Sequence, residues 1–217
     1  MKEVHVDDNF AHVTLLIDRS GSMEEIRDDA QGGVDSFVKI QQDAARARDM
    51  RISLSVFDFD TEYRQAVHVD RVQDWKGYKL EPRGATALLD SIVRAITNTG
   101  EYLGGMTEQR RPAHVTFVIV TDGLENSSRE ATKQQVNELI TEHSQKYGWS
   151  FIFLAANQDA IEEGTSLGVP ANNSMNWNKR SAGSTYAVAS NATVSSYSST
   201  PGGQSADFDL PENAPEK

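Results

Sequence analysis

Short apolar runs of strand length alternate along this chain with longer stretches whose apolar residues return every three or four positions. That alternation predicts strand–helix–strand units and a mostly parallel sheet. His12 to Ile17 reads as a first buried strand, followed by a helix over Glu24 to Arg46 in which Gly32-Gly33 is a weak point. Arg51 to Phe59 reads as a second strand, and Tyr63 to Val69 alternates like a short edge strand after a turn. Within Thr86 to Thr97, Leu88, Leu89, Ile92, Val93 and Ile96 stand at helical spacing. Val115 to Val120 is rich in strand-forming apolar residues, as in a strand covered on both faces. A helix over Glu130 to Lys146, a strand over Ser150 to Ala155 and a helix over Asp159 to Leu167, ended by Gly168, follow. Ser181 to Tyr197 is rich in Ser and Ala but keeps Tyr186, Ala189, Ala192 and Tyr197, and reads as a closing helix. From Ser198 onward Ser, Gly, Pro and acidic residues dominate, which predicts a disordered tail. The sequence contains no internal repeat.

Length changes this picture little. A chain of 217 residues is one large domain, or one domain and a tail, with enough mass for a sizeable core. The expected division is a leader at 1–9, a folded domain at 10–198 and an acidic, Ser/Gly/Pro-containing tail at 199–217. Charge changes it more. A net charge of −11 argues against nucleic acid as a partner, and Arg110-Arg111 and Lys179-Arg180 are only pairs. There is no cysteine, which excludes disulfides, thiolate metal sites and cysteine nucleophiles and fits a reducing compartment. Met1 to Asp8 lacks an apolar signal core, and the longest apolar stretches, around Leu15 and Val118, are far short of a membrane span. A cytoplasmic protein with no membrane partner is expected.

The candidate chemistry lies where apolar runs end. Asp18, Ser20 and Ser22 fall in Asp18-Arg19-Ser20-Gly21-Ser22, Thr86 in Gly84-Ala85-Thr86, and Asp122 in Thr121-Asp122-Gly123. Open α/β sheets hold their ligands at such strand ends. A magnesium ion wants six oxygen ligands in a tight octahedron. Ser20 and Ser22, two apart in a turn, can turn both hydroxyls to one point, and Gly21 lets the backbone fold sharply between them. Three neutral hydroxyls and two carboxylates, Asp18 and Asp122, would leave the ion electrophilic, with a position open to an outside anion. Each segment alone has a plainer reading. The first is a strand-to-helix turn, Thr86 is a helix N-cap, and Asp122-Gly123 is a β-turn.

Taken in order, Asp-x-Ser-x-Ser at 18–22, the distant Thr86 and Asp122 in Thr-Asp-Gly resemble the metal-ion-dependent adhesion site (MIDAS) of von Willebrand factor A (vWA) domains. The strand–helix order from about His12 to Tyr197 is similar to that family too. The resemblance implies a doubly wound, mostly parallel Rossmann-like α/β sheet with one antiparallel edge strand. It implies Mg2+, or alternatively Mn2+, at the top of that sheet, and a Glu or Asp carboxylate of a protein partner completing the coordination. It further implies direct ligation by Ser20, Ser22 and, in some states, Thr86, with Asp18 and Asp122 acting mostly through water or hydrogen bonds. The run from Thr121 to Ser127 and the stretch from Phe153 to Gly168 resemble small intracellular vWA proteins of bacteria and their phages, which makes an AAA+ ATPase system an expected partner.

Other residues carry two readings each. Met23, Glu24, Glu125 and Asn126 lie just past metal-binding positions and read either as a partner-binding rim or as plain surface. Asp58 and Asp60 suggest a second metal site, although a strand end entering a turn is the simpler account. Asp90 stands four residues after Thr86, either bonded to the site or solvated. His5, His12, His68, His114 and His143 show no ligand spacing, and Trp75, Trp149 and Trp177 read as core or domain edge.

The expected function is a non-catalytic, Mg2+-dependent adaptor or scaffold. An Mg2+-dependent hydrolase or phosphotransferase is the alternative. The sequence offers it no Asp-x-Asp after the first strand, no phosphate loop and no nucleophile elbow. A third reading is self-assembly, in which tail acids Asp207, Asp209, Glu212 and Glu216 reach a metal site.

Overall fold

The computed structural model describes residues 6–123, 125–156, 160–177 and 182–199, together with 208, 210 and 211. Its central element is β1 (Asp7–Asp18), a twelve-residue strand buried from Phe10 to its end. Such a strand has to be apolar on both faces, and Phe10 to Ile17 nearly is. It begins before the expected His12, because the Asp7 N–H donates to Arg111 O at 2.9 Å and an irregular register follows between Asp7 and Ala11.

On one side β1 pairs in parallel with β2 (Arg51–Phe59), which pairs antiparallel with β3 (Tyr63–Val69) at the edge. On the other side β1 pairs in parallel with β4 (Pro112–Thr121), followed by β5 (Ser150–Ala155) and β6 (Ser174–Asn176). The strand order is β3-β2-β1-β4-β5-β6. The chain therefore leaves β1 in one direction, returns, and continues in the other, so the crevice at the carboxyl ends of β1 and β4 is the topological switch point. Asp18 and Asp122 stand at those two ends.

Helices α1 (Arg27–Arg48) and α5 (Ala182–Ser196) cover one face of the sheet. There Val13, Leu15 and Ile17 of β1 pack with Val34, Phe37 and Val38 of α1 and Tyr186 of α5. Helices α2 (Leu88–Gly104) and α3 (Lys133–Tyr147) cover the other, with Leu16, Phe117, Ile119 and Phe153 against Leu88, Ile92, Val136 and Ile140. A short helix, α4 (Ala160–Ser166), precedes β6. Each fully buried Leu, Ile, Val or Phe contributes about 1.5–3 kcal/mol relative to an exposed one, so these layers fix the strand order that builds the site.

Several element ends differ from the sequence reading for local reasons. Gly21–Ile26 forms a 3-10 turn before α1 begins at Arg27. Helix α3 starts at Lys133, not Glu130, because Thr132 accepts from the Gln135 N–H while the Gln135 side chain accepts from Thr132 N–H, a capping box. Strand β6, three residues long, carried too little pattern to be read. Gly33 is no weak point in α1: a Cβ there would overlap Cγ, Cδ2 and Cε2 of Tyr186, so the missing side chain is what lets α5 approach.

Of the expected tail, only 199, 208, 210 and 211 are among the described residues. Phe208 N–H donates to Asn173 Oδ1 at 2.8 Å, Leu210 N–H donates to Asn172 O at 2.6 Å, and Leu210 is buried against the core. Residues 1–5 of the leader, the rest of the tail, Leu124, Asp159, Lys179-Arg180 and Ser181 lie outside the described residues. No described helix is long and apolar enough to cross a membrane.

Candidate metal centre at the switch point

Asp18 closes β1 with its side chain fully buried. Its Oδ1 accepts from Ser20 N–H at 2.7 Å and its Oδ2 from Thr121 Oγ1 at 2.7 Å. That second bond ties the ends of two neighbouring strands together. The Thr121 hydroxyl, having donated its proton, accepts from Gly123 N–H at 3.2 Å, which shapes the turn that carries Asp122. Ser20 Oγ lies 3.1 Å from Ser22 Oγ, and Ser22 Oγ donates to Asp122 Oδ1 at 2.8 Å.

Thr86 arrives from the loop before α2. Its N–H donates to Asn126 Oδ1 at 2.9 Å, and its carbonyl accepts from the N–H groups of Asn126 at 3.1 Å and Ser127 at 3.2 Å. A Cβ placed on Gly123 would stand 3.6 Å from Thr86 Oγ1 and 3.8 Å from Ser22 Oγ, so both hydroxyls face this glycine closely. The fold thus brings Asp18, Ser20, Ser22, Thr86 and Asp122 into one cluster.

The spacing suits a small hard cation. With Mg–O bonds of 2.0–2.1 Å, neighbouring corners of the octahedron are about 2.9 Å apart. The Ser20–Ser22 separation of 3.1 Å and the Ser22–Asp122 separation of 2.8 Å are hydrogen-bond distances that are also compatible with that size. Among the described residues, no three His, Asp or Glu side chains gather into a metal cluster, so hydroxyl oxygens would have to supply part of the coordination. Mg2+ and Mn2+ accept such oxygens readily.

Electrostatics point the same way. Burial pushes the Asp18 carboxyl up to about 6, against the pull of the hydrogen bonds from Ser20 and Thr121, and the nearby Asp122 adds to the rise. Burial also raises Asp122, with the Ser22 hydrogen bond opposing. Among the described residues neither carboxylate forms an ion pair with a Lys, Arg or His. A divalent cation beside them would offset charge that the protein leaves uncompensated.

The four rim candidates separate. Met23 is fully buried in the core, which removes it from any rim; its position after Ser22 in a 3-10 turn points it inward. Glu24 is exposed, and its Oε1 accepts from Arg27 NH1 at 3.1 Å. Glu125 turns inward. Its carboxylate accepts from Leu89 N–H at 2.9 Å, Ser127 N–H at 2.8 Å and Ser128 N–H at 2.6 Å, covering the start of α2. Asn126 is exposed, but its side-chain oxygen holds Thr86 in place. The sequence could not separate these roles, because they depend on α2 lying beside the 125–128 loop.

Asp58 and Asp60 are not arranged as a second metal site. Asp58 accepts from Arg64 Nε at 2.7 Å, Arg64 NH2 at 2.9 Å and Tyr78 OH at 3.1 Å. Asp60 Oδ2 accepts from Arg83 Nε at 2.6 Å and pairs with Arg19 NH2 at 3.1 Å. Arg19, 4% exposed, is a residue the sequence reading passed over inside the first motif, as it passed over Thr121 and Arg83. Asp90 is partly exposed and is not bonded to the site. Its carboxylate accepts the N–H groups of Arg129 at 2.9 Å, Glu130 at 3.0 Å and Ala131 at 2.7 Å. Burial works to raise its pKa, yet these three bonds outweigh it and hold the carboxyl below its ordinary range.

No family model matches the sequence, and no curated protein matches it either. Solved structures do match in fold. Proximal thread matrix protein 1 from the mussel byssus superposes with a TM-score of 0.60 at 12% identity, over 87% of this chain and 47% of that one. A von Willebrand factor type A protein from Catenulispora acidiphila gives 0.55 at 13% identity, over 84% and 42%. The pilus adhesin SpaC from Lactobacillus rhamnosus GG gives 0.64 at 10% identity, over 90% and 31%. The chain thus spans less than half the length of each of these proteins. Matching structures and a six-stranded sheet with one antiparallel edge strand agree: this protein has the von Willebrand factor A fold.

Proposed function

We propose that this protein is a non-catalytic binding module that captures an acidic residue of a protein partner through a divalent cation, Mg2+ first and Mn2+ second. The observation that carries this reading is the gathering of three hydroxyls and two carboxylates, with Ser20, Ser22 and Asp122 oxygens 2.8–3.1 Å apart, at the switch point of a vWA fold. A bound cation would supply a Lewis-acidic position for one external carboxylate oxygen. Ser20, Ser22 and Thr86 would offer it neutral oxygens. Asp18 orients Ser20 through its backbone N–H, and Asp122 orients the Ser22 hydroxyl. Keeping the donors mostly neutral preserves the attraction for an outside anion.

One such bond is weak, so the loops around it must add contact; micromolar affinity requires about −8 kcal/mol in total. Phe208 and Leu210 anchor at Asn172 and Asn173, beside β5, while the tail acids Asp207, Asp209, Glu212 and Glu216 lie outside the described residues. The sequence resemblance supports an adaptor or scaffold role in the cytoplasm, beside an AAA+ ATPase system, and a composition without cysteine fits a reducing compartment.

Capture of partners on the immobilised protein in Mg2+ and in EDTA tests this reading, with a Ser22→Ala protein as control. A protein retained only in Mg2+ and only by the wild type is the expected result. Metal-independent capture, or phosphoester turnover lost in Asp18→Ala, would overturn it.

A further inference from the structure

We propose that Asp60, with Arg19 and Arg83, positions Thr86 against Ser20 and Ser22, and thereby sets the preference of the site for a small cation. The proposal rests on reading the cluster as a divalent-cation site.

Three loops meet at Asp60, whose side chain is fully buried one residue past β2. Its Oδ2 accepts from Arg83 Nε at 2.6 Å and pairs with Arg19 NH2 at 3.1 Å, while its Oδ1 accepts from Glu62 N–H at 2.5 Å. The backbone repeats the connections. Ala87 N–H donates to Asp60 O at 3.1 Å, Arg83 N–H to Arg19 O at 2.7 Å, and Gly21 N–H to Gly84 O at 3.1 Å. Gly84 adopts a φ of +71°, and a Cβ there would press within 3.2 Å of Asp60 Cβ. The 83–87 loop therefore lies tight against Asp60.

The two groups that must converge are held from both sides by this clamp. Thr86 sits between Gly84 and Ala87, and Ser20 sits between Arg19 and Gly21; each of these four neighbours is bonded within the network. The network carries no excess positive charge, since Arg19 and Arg83 face three carboxylates. Arg19 lies between Asp58 at 3.4 Å and Asp60 at 3.1 Å, and Arg83 pairs with both Asp60 and Glu62. Arg19 thus brings a rigid donor into the first motif without leaving a bare positive charge beside a bound cation.

Rigidity matters because Mg2+ demands near-ideal octahedral geometry at 2.0–2.1 Å, whereas Ca2+ accepts irregular shells at 2.3–2.6 Å. Freeing the Thr86 loop should weaken Mg2+ more than Ca2+. A mutation that only lowered global stability would leave the ratio of the two affinities unchanged in the folded protein.

The test is calorimetric titration of Mg2+ and Ca2+ into wild type, Asp60→Asn, Arg83→Ala and Arg64→Ala, with folding followed by circular dichroism. Arg83 is half exposed, so its replacement keeps the proposal testable if Asp60→Asn fails to fold. Arg64→Ala breaks a comparable pair with Asp58 but leaves the 83–87 loop bonded, and it serves as the control. Mg2+ affinity should fall about tenfold in Asp60→Asn and Arg83→Ala, as for other partners that orient metal ligands, with a smaller change for Ca2+ and none in Arg64→Ala. An unchanged Mg2+/Ca2+ ratio in folded Arg83→Ala overturns the inference alone. A wild type that binds neither ion overturns the metal reading and this inference with it.

Discussion

The Thr121 hydroxyl donates to Asp18 Oδ2 across 2.7 Å, joining the ends of two adjacent parallel strands inside the candidate metal centre. The bond holds a buried carboxylate in one orientation, so that its other oxygen can fix the Ser20 N–H at 2.7 Å. Thr121→Val keeps the shape and removes the donor. A loss of about 1–3 kcal/mol in urea denaturation is expected, together with weaker Mg2+ binding by calorimetry. Wild-type Mg2+ affinity in this variant would show that the strand-end bond does not organise the site.

Asp18 itself should destabilise the metal-free protein. Its folded pKa, raised to about 6 by burial, exceeds its ordinary value of 3.8. Between those values the folded state binds more protons than the unfolded state, so stability falls as pH rises through the window. At pH 7 without metal, removal of the buried charge should offset the one acceptor that Asp18→Asn gives up, leaving the variant at least as stable as wild type. With Mg2+ the order reverses, because a ligand at a hundred times its Kd adds about 2.7 kcal/mol to wild type and nothing to a variant that cannot bind it. Thermal shift with and without Mg2+ reads both outcomes.

His12 acts in the opposite direction. Burial, helped by the nearby His68, lowers its pKa to about 3, so the ring is neutral in the folded protein. The unfolded chain takes up that proton below about 6.5, and stability should fall as pH drops from there toward 3, by up to about 1.4 kcal/mol per pH unit from this group. His12 Nδ1 lies 2.7 Å from Ser53 Oγ and Nε2 lies 3.1 Å from Thr14 Oγ1, which an uncharged amide can partly replace. Urea midpoints of wild type minus His12→Gln across pH 4–7 isolate the term; a flat difference would refute it.

Adjacent glycines in α1 should respond with opposite signs. Nothing lies within 4 Å of a Cβ at Gly32, so Gly32→Ala should stabilise by up to about 1 kcal/mol through helix propensity. At Gly33 the same change drives a methyl group into the ring of Tyr186 and should destabilise by about 1–3 kcal/mol. Thermal denaturation of the two single variants is sufficient. Equal effects would mean that α1 and α5 approach less closely than this structure shows.

Thr86→Ala should weaken partner capture more than folding. Its backbone bonds to Asn126 and Ser127 persist in the variant, so only the hydroxyl is lost. Pull-down in Mg2+ compared with the thermal midpoint separates the two effects.

The sequence by itself determined most of the elements and the first motif, because both are local. Arg51–Phe59 and Ser150–Ala155 have the bounds that the apolar pattern implied, since buried strands show it residue by residue, and the edge strand Tyr63–Val69 was legible from its alternation. Ser20 and Ser22, two apart in one turn, bring their hydroxyls within 3.1 Å of each other. Only the tertiary structure decided that β4 lies beside β1, which puts Asp122 within 2.8 Å of Ser22 across a hundred residues. It also decided that Met23 is core, that Glu125 and Asn126 serve α2 and Thr86, and that Arg19, Asp60 and Arg83 form one clamp. Those roles depend on which loop lies beside which, and loop neighbours follow from strand order and helix packing, to which no local pattern in the chain corresponds.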